Sequence, residues 1–248
     1  MIISRDESVS IMINEEDHIR IQSMQAGLNL EDAFEAASAA ALILEGRLSL
    51  AYSEKYGFLT ACPTNTGTGM RASVMAHLPG LTMSGRIKDV IEGLNKMGFT
   101  VRGNYGEHSK AQGHHFQISN QLTLGLAEDD LINDLKRMLQ QLIVQERNIR
   151  RELYRQHPVA LEDKVMRAYG ILRTARVMTS EEAVSLLSSV RLGLALGLFP
   201  KLTESDINRV QSMIGPASIQ KARGRPLGPE DRDMTRAAII REILDKPF

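Results

Sequence analysis

The stretch Phe58-Leu59-Thr60-Ala61-Cys62-Pro63-Thr64-Asn65-Thr66-Gly67-Thr68-Gly69, with Ala72 to Leu78 beyond it, carries the strongest fold signal in the first half of the chain. Phe58 to Cys62 reads as a strand that runs into a turn of Pro, Asn and Gly, and Ala72 to Leu78 supplies the returning strand. Upstream, Val9, Ile11 and Ile13 alternate with Ser10 and Met12, and Ile19 and Ile21 alternate with Arg20 and Gln22. This period-two alternation predicts two more strands. Glu31 to Leu50, rich in Ala, Leu and Glu, predicts a helix with Asn29 as its cap. Downstream, Ser84 to Met97 predicts a helix ended by Gly98, and Phe99 to Arg102 a strand. A polar loop follows from Gly103 to Gly113, and the strand pattern resumes at Phe116 and Ile118.

The second half changes period. Leu131, Leu135, Met138, Leu142, Ile149 and Leu153 mark one face of a long amphipathic helix. Further helices are predicted over Leu161 to Arg176, Ser180 to Leu198 and Glu204 to Met213, with Thr179, Ser180 and Thr203 as cap candidates. Residues 215–233 read as a loop before a final helix ending near Asp245. The fold class is therefore α+β: an antiparallel sheet flanked by helices over residues 1–127, then a mostly helical portion over residues 128–248.

Composition narrows the function classes. The 248 residues with 43% hydrophobic content suffice for a sizeable core. Lys plus Arg and Asp plus Glu number 30 each, so no global field draws the chain to nucleic acid or anionic membrane. Tryptophan is absent and aromatics make up 4%, a poor supply of stacking platforms for single strands. No run of about 18 apolar residues exists to span a bilayer, and the first ten residues hold no apolar signal core. One cysteine, Cys62, excludes an internal disulfide and fits a cytoplasmic setting. Besides His18, the histidines at 77, 108, 114, 115 and 157 lack metal-ligand spacing, and adjacent His114 and His115 are expected in solvent, so no metal site is assigned.

Three segments concentrate reactive groups. Asn14-Glu15-Glu16-Asp17-His18-Ile19-Arg20 sets three carboxylates in succession, which must face solvent, a cation or a substrate. Its plainest reading is an acidic turn between strands. In the second, Cys62 sits beside polar turn residues, with Arg71 just beyond. A lone cysteine is commonly a small buried hydrophobe, but nearby donors here can stabilise a thiolate. The third, Arg102-Gly103-Asn104-Tyr105-Gly106-Glu107-His108, is either a ligand-closing loop or an ordinary hairpin loop. Arginines for phosphate and carboxylates for a cation suit phosphoryl transfer to a guanidinium. Neither a Walker motif nor a kinase glycine loop is present.

NEEDHIRIQSM, CPTNTGTGMRAS and VRGNYGEHSKAQGHHFQISN, in this order, resemble the signature segments of the guanidino kinases, which include creatine, arginine and bacterial protein-arginine kinases. Arg232-Asp233-Met234-Thr235-Arg236-Ala237 is similar to the RDxxRA element of the protein-arginine branch. The resemblance implies roles. Glu16 would bind the target guanidinium and act as base, Glu107 would be a second guanidinium-binding carboxylate, and Cys62 would lie against the guanidinium as a thiolate. Arg20, Arg71 and Arg102 would surround the phosphates of ATP, with Mg2+ held largely by phosphate oxygens. Arg232, Asp233 and Arg236 would form a regulatory phosphoarginine site; their plainer reading is a charged helix start. Implied partners are proteins with exposed arginines, a Clp-type ATPase or an activator protein, and a second copy in a homodimer. The setting would be a bacterial stress response in protein quality control.

The chain departs from the family pattern in three places. It lacks the S-x-R-x-R element that family members carry in a preceding segment. Thr66 stands where an apolar residue is expected, and Lys110 where many relatives are acidic. Other readings stay open. The chain could be a catalytically impaired module that binds phosphoarginine or a partner, or a small-molecule phosphagen kinase, against which the RDxxRA element argues. Arg223-Gly224-Arg225-Pro226 resembles an AT-hook core, but one copy in a neutral chain reads more simply as a basic surface loop.

Overall fold

A computed structural model describes residues 1–103 and 112–245. Its elements in the first half are β1 (Ile2–Ile3), β2 (Val9–Glu15), β3 (Asp17–Ser23), α1 (Leu30–Glu45), β4 (Tyr52–Ser53), β5 (Gly57–Phe58), β6 (Ser73–His77), α2 (Pro79–Met83), α3 (Ile87–Lys96), β7 (Phe99–Gly103) and β8 (His115–Asn120). Helices follow: α4 (Glu128–Gln156), α5 (Pro158–Thr174), α6 (Ser180–Ala195), α7 (Glu204–Met213), α8 (Pro216–Arg223) and α9 (Pro229–Leu244). The α+β class read from the sequence is what the structure contains. The chain divides into two compact units. One comprises residues 1–74, 89–101 and 117–143; the other comprises residues 75–88, 102–116 and 144–248.

In the first unit, β1, β2 and β3 form an antiparallel sheet in that order. Its register pairs Ile11 with Ile21, Ile13 with Ile19 and Glu15 with Asp17, which leaves Glu16 at the hairpin tip. Helix α1 packs on β3. It stops at Glu45, short of the predicted Leu50, because the Gly46 amide closes the last turn on the Leu42 and Leu44 carbonyls. Asn29 stands at its start, but the side chain donates to Asp32 at 2.7 Å and caps no amide. The strand predicted at Phe58–Cys62 is shorter than expected. β5 pairs with β4, Phe58 bridges Gly67, and Thr60 turns away by donating its hydroxyl to the Cys62 carbonyl at 2.7 Å. Pro63 has no amide to continue a ladder. Buried Leu94, Ile118, Leu131, Leu135 and Leu139 fill this unit's interior. A third sheet has the order β6-β8-β7.

The helix predicted from Ser84 begins at Ile87, after the short α2. Pro79 occupies the first turn of α2, where its missing amide costs nothing. The second unit's core joins α5, α6, α7 and α9 through fully buried Val165, Leu172, Leu187, Ile207, Val210 and Ile240. Each such side chain contributes about 1.5–3 kcal/mol on leaving water. Thr179 caps α6 by accepting from the Glu182 amide at 3.2 Å. Thr203 and Asp206 form a reciprocal capping box at α7, which starts at the predicted residue. Residues 216–223, read as loop, are the helix α8. Pro216 opens it, Gly224 closes it at φ +66°, and fully buried Ile219 packs with Leu227 and Ile239. Because Lys221 and Arg223 lie in its last turn, the Arg-Gly-Arg-Pro segment lacks the extended start that an AT-hook needs. Among the described residues no helix is long and apolar enough to cross a membrane.

Candidate active site

Two turns of the first unit meet through one carboxylate. Along β3 exposure alternates, so Asp17 is half-buried between exposed Glu16 and His18. Asp17 Oδ1 accepts from the Ala61 amide and, at 3.4 Å, from the Cys62 amide. Its Oδ2 accepts from Asn65 Nδ2 at 3.4 Å. The acidic hairpin and the cysteine turn, about 45 residues apart in sequence, are thereby joined.

The cysteine turn is built from hydroxyls. Pro63–Asn65 make a single 3-10 turn, and Cys62 Sγ lies 3.0 Å from Thr64 Oγ1, a donor suited to a thiolate. Thr66 Oγ1 lies 3.0 Å from Thr60 Oγ1, so the hydroxyl found where an apolar residue was expected has a partner. Below the turn, Thr123 Oγ1 lies 2.9 Å from the Thr64 carbonyl and 2.8 Å from that of Thr66, and the Thr123 carbonyl accepts from the Thr68 amide at 2.9 Å. Gly67 passes so close that a Cβ would come 2.1 Å from the Thr123 oxygen, at a φ of +115°. Only glycine fits there.

The proposed phosphate-binding arginines are distributed. Arg20 is exposed on β3, opposite Met12. Arg71 is exposed just before β6, and its Nε donates to Ser119 Oγ at 3.3 Å. Arg102, half-buried on β7, belongs to the second unit. The structure thus gathers Glu16, Asp17, Arg20, Cys62 and Arg71 in one unit. Glu107 lies outside the described residues. Asp17, Thr64 and Thr123 were missed by the sequence reading, since their partners are remote or are backbone atoms. Among the described residues no group of three His, Cys, Asp or Glu side chains is arranged to hold a metal ion.

The second unit holds a histidine cluster that the sequence reading placed in solvent. His115 is 7% exposed and His114 half-buried. Ser188 Oγ, fully buried, lies 2.8 Å from His77 Nε2 and 3.0 Å from His114 Nδ1. A hydroxyl has one proton, so it can donate to only one ring and must accept from the other. Burial, then the Arg191 guanidinium, push His115 down to about 4. Burial, then the neighbouring His115, drive His77 far below its ordinary value, and burial likewise lowers His114. Nearby, Glu146 accepts from the Gly80 and Leu81 amides at 2.7 and 2.8 Å and pairs with Arg150, which donates to the His77 carbonyl.

Arg236, in the RDxxRA element, is 2% exposed. Its Nε donates to the Ile214 carbonyl at 2.9 Å, and its Nη1 to the Met178 carbonyl at 2.7 Å and to the Asp233 carboxylate. Arg232 is half-buried and donates to the Leu227 carbonyl at 2.9 Å. The three predicted residues share the start of α9, but Arg236 already serves the fold.

The chain belongs to the ATP:guanido phosphotransferase family, whose C-terminal catalytic domain profile matches residues 1–149. The profile described as the C-terminal domain of the protein-arginine kinase McsB matches residues 158–247, and the chain falls with the protein-arginine kinases within that family. It is 50% identical over 243 residues to the protein-arginine kinase of Geobacillus thermodenitrificans, covering 98% of this chain and 67% of that protein. The Symbiobacterium thermophilum protein-arginine kinase is 49% identical over 242 residues, with 98% and 69% covered. The chain therefore spans about two thirds of the length of these curated relatives. Among solved structures, a lombricine kinase superposes with a TM-score of 0.52 at 32% identity, over 58% of this chain and 40% of that one. The duplicated taurocyamine kinase of Schistosoma mansoni with bound transition-state analogue components gives 0.53 at 27% identity, over 72% and 28%.

Proposed function

We propose that this chain transfers the γ-phosphoryl group of ATP to arginine side chains of proteins. The carrying observation is the junction at Asp17, which sets the Glu16 hairpin against the Cys62 turn. A guanidinium is protonated at neutral pH, with a pKa above about 12, and is a poor nucleophile. Glu16 at the hairpin tip orients it and accepts its proton as the N–P bond forms and the bond from phosphorus to the ADP oxygen breaks. Glu107 is the second carboxylate for the guanidinium, and the Cys62 thiolate lies against it. Arg20, Arg71 and Arg102 hold the phosphates and spread the charge of the transferring group. Mg2+ would supply further neutralisation of the phosphate charge. Holding both substrates in line contributes roughly 7–11 kcal/mol to lowering the barrier.

Arg232 and Asp233 on α9 receive a phosphoarginine in regulation, with Arg236 bracing them from below. The setting is cytoplasmic protein quality control, with a Clp-type ATPase or an activator protein as partner and a homodimer as the assembly. The match of a protein-arginine kinase C-terminal profile to residues 158–247 supports the protein-directed branch over small-molecule phosphagens.

The test is acid-labile phosphate incorporation from labelled Mg-ATP into an arginine-rich unfolded protein. Glu16→Ala is expected to lose about 10²-fold or more in rate while nucleotide binding persists. Wild-type turnover in that variant would remove Glu16 as base. A folded wild-type protein without incorporation would sink the kinase reading in favour of a phosphoarginine-binding module.

A further inference from the structure

We propose that Asp17 is a positioning residue for phosphotransfer, setting the spacing between Glu16 and Cys62. The inference rests on the kinase reading above and gives a part in turnover to the residue whose contacts support that reading. Glu16 and Cys62 have to approach one guanidinium from two different turns. Constellations of this kind function only when held to within about 0.5 Å. A short route between the two residues runs through Asp17. One peptide bond joins it to Glu16, and one hydrogen bond joins its carboxylate to the amide of Cys62 itself.

The chemistry of the junction calls for a carboxylate. Two backbone amides converge on Oδ1 and a carboxamide donor reaches Oδ2, so both oxygens of one side chain are engaged. A serine or threonine in its place has a single oxygen. Among the described residues no Lys, Arg or His side chain is paired with Asp17. Its charge is met by amide and carboxamide donors, whose directions are fixed by the turn, so the contact specifies an orientation as well as a distance. The far side of the cysteine turn is anchored separately, by Thr123 against Thr64, Thr66 and Thr68. Loss of Asp17 therefore releases the side that faces the hairpin and leaves the base of the turn in place.

Two variants and two readouts test this. Asp17→Ala removes both oxygens; Asp17→Asn keeps one acceptor for the amides. Hydrogen exchange is read at individual amides, and phosphotransfer to an unfolded arginine-rich protein is read as kcat and as KM for ATP. In Asp17→Ala the Ala61 and Cys62 amides should exchange about tenfold faster or more, while the Gly67 and Thr68 amides keep their protection. Its kcat should fall about 10²-fold with KM for ATP within about twofold, and Asp17→Asn should recover kcat to within about tenfold of wild type. Unchanged Ala61 and Cys62 exchange in Asp17→Ala overturns the contact. Faster exchange with undiminished kcat overturns the positioning role, as does a kcat that Asp17→Asn fails to recover. A wild-type protein with protected Ala61 and Cys62 amides but no turnover overturns the kinase reading and the positioning role with it, while the contact stands.

Discussion

Acidification should destabilise the helical unit by an amount traceable to one side chain. His115 packs 4.7 Å from His77, ring centre to ring centre. Around these rings stand Ser188, His114, Arg191, Arg150, Glu146 and Lys164. Burial and Arg191 push His115 down to about 4, against 6.5 for the ordinary side chain. As pH falls, the unfolded chain takes up this proton first. The stability is fully present above about pH 6.5 and is lost as pH falls toward 4. At about pH 5 the unfolded state is nearly all protonated and the folded state nearly all neutral, which costs about 2 kcal/mol relative to pH 7. His77 shifts in the same direction and adds to the loss. Urea unfolding followed by helical circular dichroism at the two pH values measures the total. His115→Phe keeps the ring and removes the proton site, so its stability should vary by about 2 kcal/mol less over that interval. Equal pH dependence in wild type and variant would refute the burial of a neutral His115.

Further outcomes are expected. Glu146→Ala leaves Arg150 Nε and the two amides of α2 without their carboxylate acceptor, and should cost about 3–5 kcal/mol in urea unfolding, as breaking a buried pair does. Arg236→Ala should destabilise by a similar amount, whereas half-buried Arg232→Ala should cost about 1 kcal/mol. Phosphoarginine binding titrated in folded Arg232→Ala is therefore the informative measurement, and undiminished affinity there would remove Arg232 from the regulatory site.

Much of the fold was legible because its determinants are local. The alternation of Ile11, Ile13, Ile19 and Ile21 gave the hairpin, and Thr203 before Glu204 gave the start of α7 to the residue. What escaped depended on tertiary partners. Helix α8 hides in a Gly, Pro and Arg-rich stretch because its principal apolar anchor, Ile219, shows no periodicity by itself. The predicted run to Leu50 failed because the apolar pattern continues past Gly46, where the backbone stops. At the site, the reactive residues stood out as dense motifs. Asp17 did not, because its three donors lie 44 to 48 positions away. His77 is likewise 111 positions from Ser188, and nothing in either neighbourhood announces the other.

The burial of Arg236 bears on how its motif is read in other chains. A guanidinium that ties the starts of α6 and α9 to the end of α7 is retained by selection for folding, whether or not any phosphorylated ligand ever visits. The second arginine of RDxxRA is then expected wherever this packing of α6, α7 and α9 is kept. It will also resist exchange for lysine, which cannot reach three acceptors in a fixed plane. In other chains that carry the pattern, the first arginine, half-buried here and bonded to one carbonyl, is the position whose exchange the fold should tolerate better.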